Sequence, residues 1–362
     1  MDSVKDKILY YLLLPLSWLY GLVIRLRNKL FDWSILKSEE FDVPIISVGN
    51  LTVGGTGKTP FVEYLIEHLS SEYNIAVLSR GYKRQTKGFV LATNKSTPKT
   101  IGDESYQIYQ KYGYKVKIAV CENRSKGIKE LINLGLNINL IILDDAFQHR
   151  YVLPKTSVLL MDYNRPVYED KLLPLGRLRE NIEAVSRADF VVVTKCPETL
   201  TPIDFRLIKK RLELFAFQRL YFSKIAYGSL TPVFDDVQPY SIYLSQLTKN
   251  DTIMLLTGIA NPRSFVKYFN QFECKIKICH YSDHHDFSRS DILNISKVFT
   301  QISSERKIII TTEKDSVRLS TNPYFPHELK QLVYFIPIKH EVLNRFEEDD
   351  LIPEIKKSIR KL

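Results

Sequence analysis

A glycine-rich segment that ends in Gly57-Lys58-Thr59 has the residue types that bind phosphate. It follows an apolar run, 43–48, and precedes another, 61–66, whose spacing predicts a helix. Strand, glycine-rich loop, Gly-Lys-Thr and helix is the layout of a P-loop, in which backbone N–H groups converge on phosphate oxygens. The lysine reaches the outer phosphates and the threonine hydroxyl is a ligand for Mg²⁺. We therefore expect a nucleotide site formed by Thr52, Val53, Gly54, Gly55, Thr56, Gly57, Lys58 and Thr59.

The loop departs from the common P-loop pattern at one position. That pattern has its first glycine five residues before Gly57, and this chain has Thr52 there. An incidental glycine-rich turn is the alternative interpretation. The apolar strand before the loop and the helix after it favour the phosphate site.

Two adjacent aspartates end an apolar segment, 139–143, that has the composition of a buried strand. In P-loop enzymes one carboxylate at this place holds Mg²⁺ through water, and another orients the nucleophile. We assign Asp144 to the metal together with Thr59. We assign Asp145 to catalysis beside Lys58.

Two further titratable clusters are candidates for proton transfer. Asp103 and Glu104 stand at a loop-to-helix junction, where they either cap the helix or place Asp103 as a catalytic base. The segment 283–286, Asp-His-His-Asp, is either a His–Asp pair for proton transfer or, with His280, a metal site. The lack of a strong accompanying ligand set argues against the metal. If Asp103 and His284 lie in different domains, domain closure assembles the site.

Composition narrows the class of partner. The 362 residues are enough for two domains, and a net charge of +10 favours an anionic partner. A nucleic-acid-binding protein would concentrate basic residues among aromatic ones. The lysines here are dispersed, so we expect no nucleic-acid partner. Segment 194–197, Thr-Lys-Cys-Pro, lacks the asparagine and aspartate of a guanine-selecting motif. The alternative function is another P-loop NTPase that acts on an anionic membrane or a nucleic-acid partner.

The N-terminal segment is almost wholly apolar over residues 8–24, and Arg25, Arg27 and Lys29 follow at once. A spanning helix needs about 20 apolar residues, whereas this run is shorter and contains Pro15. Aromatic residues at headgroup depth and a basic cluster favour an interfacial membrane anchor. A buried core helix and a full span remain as alternatives.

Apolar strand segments alternate with helical segments along most of the chain. This pattern predicts an α/β protein with a P-loop NTPase-like parallel sheet core covered by helices on both faces. It also predicts a smaller second α/β domain and an N-terminal membrane-associated helix. Short extended segments, 220–225 and 237–242, are expected at the domain junction. The predicted divisions are 1–36 for the N-terminal membrane-associated helical segment, 37–222 for the P-loop core, 223–344 for the smaller α/β domain and 345–362 for a C-terminal helix.

Eight segments between Ser47 and Arg318 carry recognisable motifs: 49–60, 79–82, 102–104, 144–149, 173–180, 258–262, 283–284 and 312–315. In sequence and in order they resemble the motifs of the tetraacyldisaccharide 4'-kinase family, the lipid A 4'-kinases. The chain departs from the family motifs at Ala146, where glycine is expected, and at Arg177, where proline is common. Neither change removes a functional group.

The resemblance implies ATP-dependent phosphorylation of the 4'-hydroxyl of tetraacyldisaccharide 1-phosphate, giving lipid IVA in lipid A biosynthesis. It implies ATP and Mg²⁺ as cofactors. It also implies a location at the cytoplasmic face of the inner membrane of a Gram-negative bacterium. We expect the protein there to be a monomer, peripheral or monotopic. Asp103 and His284 would form the dyad that activates the hydroxyl, although the choice between His284 and His285 stays open. The implied substrate contacts are Arg80, Tyr82, Arg124, Gln148 and Arg179, with Gln148 also near the metal and the nucleophile.

Overall fold

The computed structural model describes residues 4–259, 261–283, 285–343 and 350–360. Within these residues the strands form two sheets, of nine and five strands. The strands are β1 Ile45–Asn50, β2 Ile75–Ser79, β3 Val90–Leu91, β4 Lys117–Val120, β5 Leu140–Asp144, β6 Thr156–Asp162, β7 Phe190–Thr194, β8 Arg219–Tyr227, β9 Thr231–Pro232, β10 Asp251–Thr257, β11 Lys275–His280, β12 Arg306–Thr312, β13 Val333–Ile336 and β14 Ile338–Val342. The helices are α1 Val4–Asp32, α2 Lys58–Leu69, α3 Pro98–Ile101, α4 Asp103–Tyr112, α5 Arg124–Asn133, α6 Pro202–Leu212, α7 Arg263–Phe269, α8 Arg289–Thr300, α9 Glu313–Ser320, α10 His327–Lys330 and α11 Leu351–Arg360.

The larger sheet has the strand order β14-β8-β7-β6-β1-β5-β2-β4-β3. Its pairs are parallel except at the two edges, where β3 and β14 run antiparallel to their neighbours. Strands β1, β2, β5, β6 and β7 are buried at every position. A parallel sheet covered by helices on both faces produces this continuous burial, so the predicted core architecture is confirmed. The carboxyl ends of these strands meet at one edge, where α/β proteins bind ligands.

The smaller sheet has the order β11-β10-β12-β13-β9, and only its β13–β9 pair is antiparallel. Helix α8 packs Ile295 and Phe299 into the core on one side of it, whereas α7 packs Phe265 and Phe269 into a separate core. The predicted second α/β unit is therefore present. The predicted extended segment 237–242 is not a strand, since its described pairing is limited to an isolated bridge from Ile242 to Leu230.

The chain returns from the smaller sheet to the larger one through β14. This strand pairs antiparallel with β8, so that Ile338 lies opposite Tyr227 and Val342 opposite Ser223. The predicted boundary at 222 therefore falls inside β8, and β14 belongs to the larger sheet rather than to the predicted 223–344 unit. The pairing joins segments more than a hundred residues apart, which local sequence patterns do not reveal.

The two terminal helices differ in burial. Helix α11 packs Leu351, Ile355 and Ile359 into the core of the larger sheet. Of the rest of the predicted 345–362 helix, Asp350 precedes α11, and residues 345–349 and 361–362 lie outside the described residues. Helix α1 leaves most of its apolar side chains exposed, for example Tyr11 at 71% and Trp18 at 73%. This exposure argues against a buried core helix. By length and composition alone, its residues 8–32 suffice to cross a membrane.

Candidate active site

The predicted phosphate loop lies between the central strand β1 and helix α2. Gly57 precedes the first residue of α2 with φ of 84°, a left-handed conformation that glycine adopts without strain. The Asn50 amide donates to the Thr56 hydroxyl at 2.8 Å, and Nζ of Lys58 lies 3.4 Å from Oδ1 of Asn50. Gly55 is exposed. The loop therefore places an exposed turn and a lysine at a helix N-terminus, as phosphate binding requires.

An ion cluster lies beside the loop lysine. Nζ of Lys58 is 3.5 Å from Oδ1 of Asp145, and Nη1 of Arg179 is 3.0 and 3.2 Å from the two oxygens of that carboxylate. Burial alone would raise the pKa of Asp145, but Lys58 and Arg179 outweigh it and hold the pKa below its ordinary value. The structure therefore brings Lys58 and Asp145 together and adds Arg179 to them, while their catalytic and substrate-binding roles stay predictions.

Asp144 has the opposite environment to its neighbour. It is 5% exposed, and its Oδ1 has no hydrogen-bond partner in the part of the chain that the structure describes. Burial and the adjacent Asp145 raise the pKa of this carboxyl to about 7. In the sheet Asp144 lies opposite Val48 of β1, just before the phosphate loop. A buried carboxylate oxygen without a partner fits a bound cation, which would stabilise the ionised form.

The segment around Arg179 is attached to the start of the phosphate loop. The backbone N–H of Arg179 donates to Leu51 at 2.7 Å, and that of Val53 donates to Arg177 at 2.8 Å. Gln148 adds a third link, because its amide donates to the Asn50 carbonyl at 2.8 Å. These contacts hold the guanidinium of Arg179 beside the loop.

Helix α1 also contacts this site, which sequence patterns did not indicate. The Tyr20 hydroxyl donates to the carbonyl of Arg179 at 2.9 Å, and Arg27 donates to the carbonyl of Gln148 at 2.9 Å. The exposed apolar helix thus rests on the backbone of two predicted substrate contacts. The available signal was the hydroxyl of Tyr20 within the apolar segment and the charge of Arg27 just after it.

Asp103 is the first residue of α4 and contacts helix α9. It follows Gly102, whose φ of 85° and close approach to the Tyr82 carbonyl favour glycine. Nε and Nη2 of Arg318, on α9, both lie 2.8 Å from Oδ2 of Asp103. The neighbouring Glu104 pairs with Lys314 of the same helix at 3.0 Å. The predicted partner His284 lies outside the described residues, so the dyad stays a prediction, whereas the contact with Arg318 was not anticipated.

The remaining predicted substrate contacts differ in exposure. Arg80 and Tyr82 are exposed on the loop after β2, at the same sheet edge as the phosphate loop. Arg124 is buried, and it donates to the carbonyls of Glu122 at 3.0 Å and Asp145 at 3.4 Å. Its described contacts support the backbone of Asp145. A direct contact of Arg124 with sugar or phosphate stays a prediction.

Comparisons with known proteins decide the family. The family model described as tetraacyldisaccharide-1-P 4'-kinase matches residues 9–359. The chain belongs to this kinase family. It is 48% identical over 343 residues to the tetraacyldisaccharide 4'-kinase of Bacteroides thetaiotaomicron, covering 93% of this chain and 90% of the relative. It is 43% identical over 335 residues to the kinase of the same name from Porphyromonas gingivalis, covering 91% of this chain and 92% of that one.

A solved structure supports the same family. The crystal structure of LpxK from Aquifex aeolicus in complex with ATP superposes with a TM-score of 0.74 at 29% identity, covering 97% of this chain and 99% of that chain. The fold predicted from sequence is thereby confirmed along nearly the whole chain.

Proposed function

We propose that this chain is a tetraacyldisaccharide 4'-kinase. It transfers the γ-phosphoryl group of ATP to the 4'-hydroxyl of tetraacyldisaccharide 1-phosphate, giving lipid IVA in lipid A biosynthesis. One residue carries the proposal. The guanidinium of Arg179 contacts Asp145 beside Lys58. The backbone carbonyl of Arg179 accepts a hydrogen bond from Tyr20 of the exposed apolar helix. A phosphoryl-transfer site and a lipid-compatible helix therefore meet at Arg179, as an enzyme with an acylated acceptor requires.

The charged residues define the chemistry. Lys58 and Arg179 neutralise charge on the transferred phosphoryl group, which usually contributes most to such catalysis. Thr59 and Asp144 would hold Mg²⁺, which when bound neutralises the β- and γ-phosphate oxygens. Asp145 stays ionised between two cations and orients them. The unpartnered buried oxygen of Asp144 supports its assignment to the cation.

Asp103 accepts the proton of the acceptor hydroxyl. A sugar hydroxyl is a weak nucleophile, so its proton leaves as the new bond from the 4'-oxygen to the γ-phosphorus forms. The bond from that phosphorus to the bridging oxygen breaks, and ADP departs. Arg318 fixes the carboxylate of Asp103 from α9. His284 is proposed, from the family resemblance, as the second member of the dyad.

Helix α1 supports a membrane location. Its exposed apolar side chains include Leu12, Trp18 and Leu19, and Arg25 follows them in the next turns. Such a helix lies in a bilayer surface with its basic residues on anionic headgroups. We propose that the protein acts as a monomer at the cytoplasmic face of the inner membrane, where ATP is available.

The test is a transfer assay with γ-labelled ATP, using purified protein in mixed micelles. Label should appear in the tetraacyldisaccharide. When the acceptor is omitted, the release of labelled inorganic phosphate by hydrolysis should be much slower than this transfer. Lys58→Met is the matched inactive control. If ATP is only hydrolysed to labelled inorganic phosphate, or if RNA or empty anionic vesicles stimulate this hydrolysis, the result would instead support the alternative of another P-loop NTPase.

A further inference from the structure

Three successive carbonyls of the phosphate loop accept hydrogen bonds from side chains outside it. Nζ of Lys195 donates to the carbonyl of Gly55. The hydroxyl of Thr194 donates to the carbonyl of Thr56 at 2.9 Å. Nε2 of His340 lies 2.9 Å from the carbonyl oxygen of Gly57.

Two of the three donors lie at the end of β7, and the third lies on β14. Thr194 ends β7 and is fully buried, and Lys195 follows it with φ of 58°. Asp162, at the end of β6, holds the ammonium group of Lys195 at 2.7 Å. His340 belongs to the edge strand β14, which returns from the smaller sheet.

The hydrogen-bonding pattern fixes the tautomer of His340. Its Nε2 faces a carbonyl, which only accepts, so Nε2 carries the proton and donates. Its Nδ1 lies 2.9 Å from the hydroxyl of Ser223 on β8 and accepts from it. His340 is 5% exposed, and burial lowers its pKa to about 4, so the ring is neutral near pH 7. A Cβ on Gly57 would lie 2.9 Å from Nε2, which shows how closely the ring packs against the loop.

Peptide planarity turns these carbonyl contacts into control of the loop N–H groups. Within one trans peptide unit, the C=O of a residue and the N–H of the next point in opposite directions. These side chains hold the carbonyl of Thr56 and, together with the N–H of Phe61, which donates at 3.1 Å, the carbonyl of Gly57. The N–H groups of Gly57 and Lys58 therefore point away from these donors. The N–H of Thr56 closes the turn to Gly54 at 3.1 Å. Phosphate binding by such a loop depends on N–H groups that are already aligned.

We propose that Thr194, Lys195 and His340 form a carbonyl clamp, a set of positioning residues that pre-aligns the phosphate loop for the nucleotide. This role rests on the proposed ATP-dependent function. Because the clamp acts before the acceptor binds, its loss weakens nucleotide affinity and leaves the KM for the glycolipid unchanged. His340 also links the loop to the strand that returns from the smaller sheet.

The first test removes one hydroxyl at constant volume. Thr194→Val loses the donor to Thr56, whereas Thr194→Ser keeps it. The control is Thr156→Val, because Thr156 is equally buried, bonds to the Ser358 hydroxyl at 2.7 Å and begins β6 at the opposite end of the sheet. Calorimetric titration with a non-hydrolysable ATP analogue and Mg²⁺ measures the affinity, and thermal unfolding without nucleotide measures the stability of each protein.

One hydrogen bond of this kind predicts a loss of affinity of about 3- to 10-fold for Thr194→Val. Thr194→Ser should stay within about 2-fold of the parent chain, since it retains the hydroxyl donor. Thr156→Val should lose similar stability and bind the analogue like the parent. If Thr194→Val and Thr156→Val lose stability alike and neither loses affinity, Thr194 only packs the core and the clamp is wrong.

The second test uses His340. His340→Gln keeps a donor for the Gly57 carbonyl, and His340→Phe keeps the ring volume without a donor. We expect His340→Phe to raise the KM for ATP about 10-fold, and His340→Gln to recover most of the loss. The KM for tetraacyldisaccharide 1-phosphate should not change. Equal KM values for ATP in the two variants would overturn the proposal. A parent chain that binds the analogue but transfers no phosphate would refute the proposed function and leave the clamp intact.

Discussion

Nε and Nη2 of Arg318 both lie 2.8 Å from one carboxylate oxygen of Asp103, across the contact between α9 and α4. The same guanidinium contacts Oδ1 of Asp315 at 3.0 Å through Nη1. Asp315 is fully buried, and its other oxygen accepts from the N–H of Gly258 at 2.9 Å. The proposed base is thus held by an arginine of α9 whose aspartate partner is bonded to the residue after β10, so we expect the alignment of Asp103 to depend on how α9 packs on α4.

Arg318→Gln should lower kcat because Asp103 loses the group that orients it. Loss of alignment forfeits part of the gain from general base catalysis, so we expect a decrease of about 10- to 100-fold. The KM for ATP should change little, since Arg318 contacts α4 rather than the phosphate loop. Steady-state kinetics with both substrates measure the two parameters.

A double-variant cycle separates this positioning role from general damage to the fold. If Arg318 acts through Asp103, then Arg318→Gln should have little further effect on kcat once Asp103→Ala is present. Arg211→Gln is the control, because Arg211 forms an ion pair with Glu169 that is exposed on both sides. Fully multiplicative losses would mean that Arg318 and Asp103 act independently.

Lys58→Ala should lower the rate of phosphoryl transfer at least about 100-fold, because pre-organised charge at the phosphoryl group is the largest catalytic contribution. Lys129→Ala is a matched control on the surface, where the lysine is half-exposed and pairs with Glu39. Single-turnover transfer measures the chemical step for each variant. Near-normal turnover by folded Lys58→Ala protein would exclude the loop from the mechanism.

Two variants of α1 should separate membrane binding from support of the site. Trp18→Glu places a charge on the exposed apolar face and should reduce binding to anionic vesicles, with activity on a short-chain acceptor retained. Tyr20→Phe removes the hydrogen bond to Arg179 and should lower kcat about 3- to 10-fold, with vesicle binding retained. Vesicle flotation and kinetics measure the two properties. If both variants lose both properties equally, α1 has no separable roles.

The stability of the protein should fall more steeply in acid because of His340. Its pKa is lowered to about 4, chiefly by burial, with Lys195 adding to the shift against the opposing contact with Gly57. As the pH falls below about 6.5, His340 therefore becomes protonated in the unfolded chain while it stays neutral in the folded chain. This contribution is complete above pH 6.5 and is lost as the pH falls towards 4, a change of about 3 kcal/mol.

Denaturant unfolding between pH 4 and 8 measures how the free energy of unfolding changes with pH. It is compared for the parent chain and for His340→Gln. The stability of the parent should decline more than that of the variant below pH 6.5. His149, whose pKa burial and Arg124 also lower to about 4, is present in both proteins and cancels in the difference. Parallel stability curves would show that His340 does not carry the effect.

Sequence patterns predicted the parts of the site that lie at strand ends. Lys58 and Asp145 follow neighbouring parallel strands, and the carboxyl ends of such strands meet at one edge, so their proximity followed from the predicted sheet. Arg179 entered through family resemblance. Its attachment to Leu51 required backbone pairing between distant loops, which no local pattern encodes.

Other parts of the site depend on long-range packing and were missed. Arg318 lies 215 residues from Asp103 in the chain, and only the packing of α9 on α4 brings them together. His340 is 283 residues from Gly57 and stands in an ordinary strand sequence. Arg124 entered as a substrate contact through family resemblance, and its burial depends on packing that the motif does not encode.

The position of the transferred phosphate tests the central claim most directly. The purified chain is incubated with ATP, Mg²⁺ and tetraacyldisaccharide 1-phosphate, and the product is examined by ³¹P and ¹H NMR, with Lys58→Met protein as the parallel sample. We predict a second phosphate monoester coupled to the 4'-proton, the original 1-phosphate unchanged, and no product from the variant. A phosphate on any other oxygen, a 1-diphosphate, or ADP formed without a phosphorylated lipid would contradict the assignment.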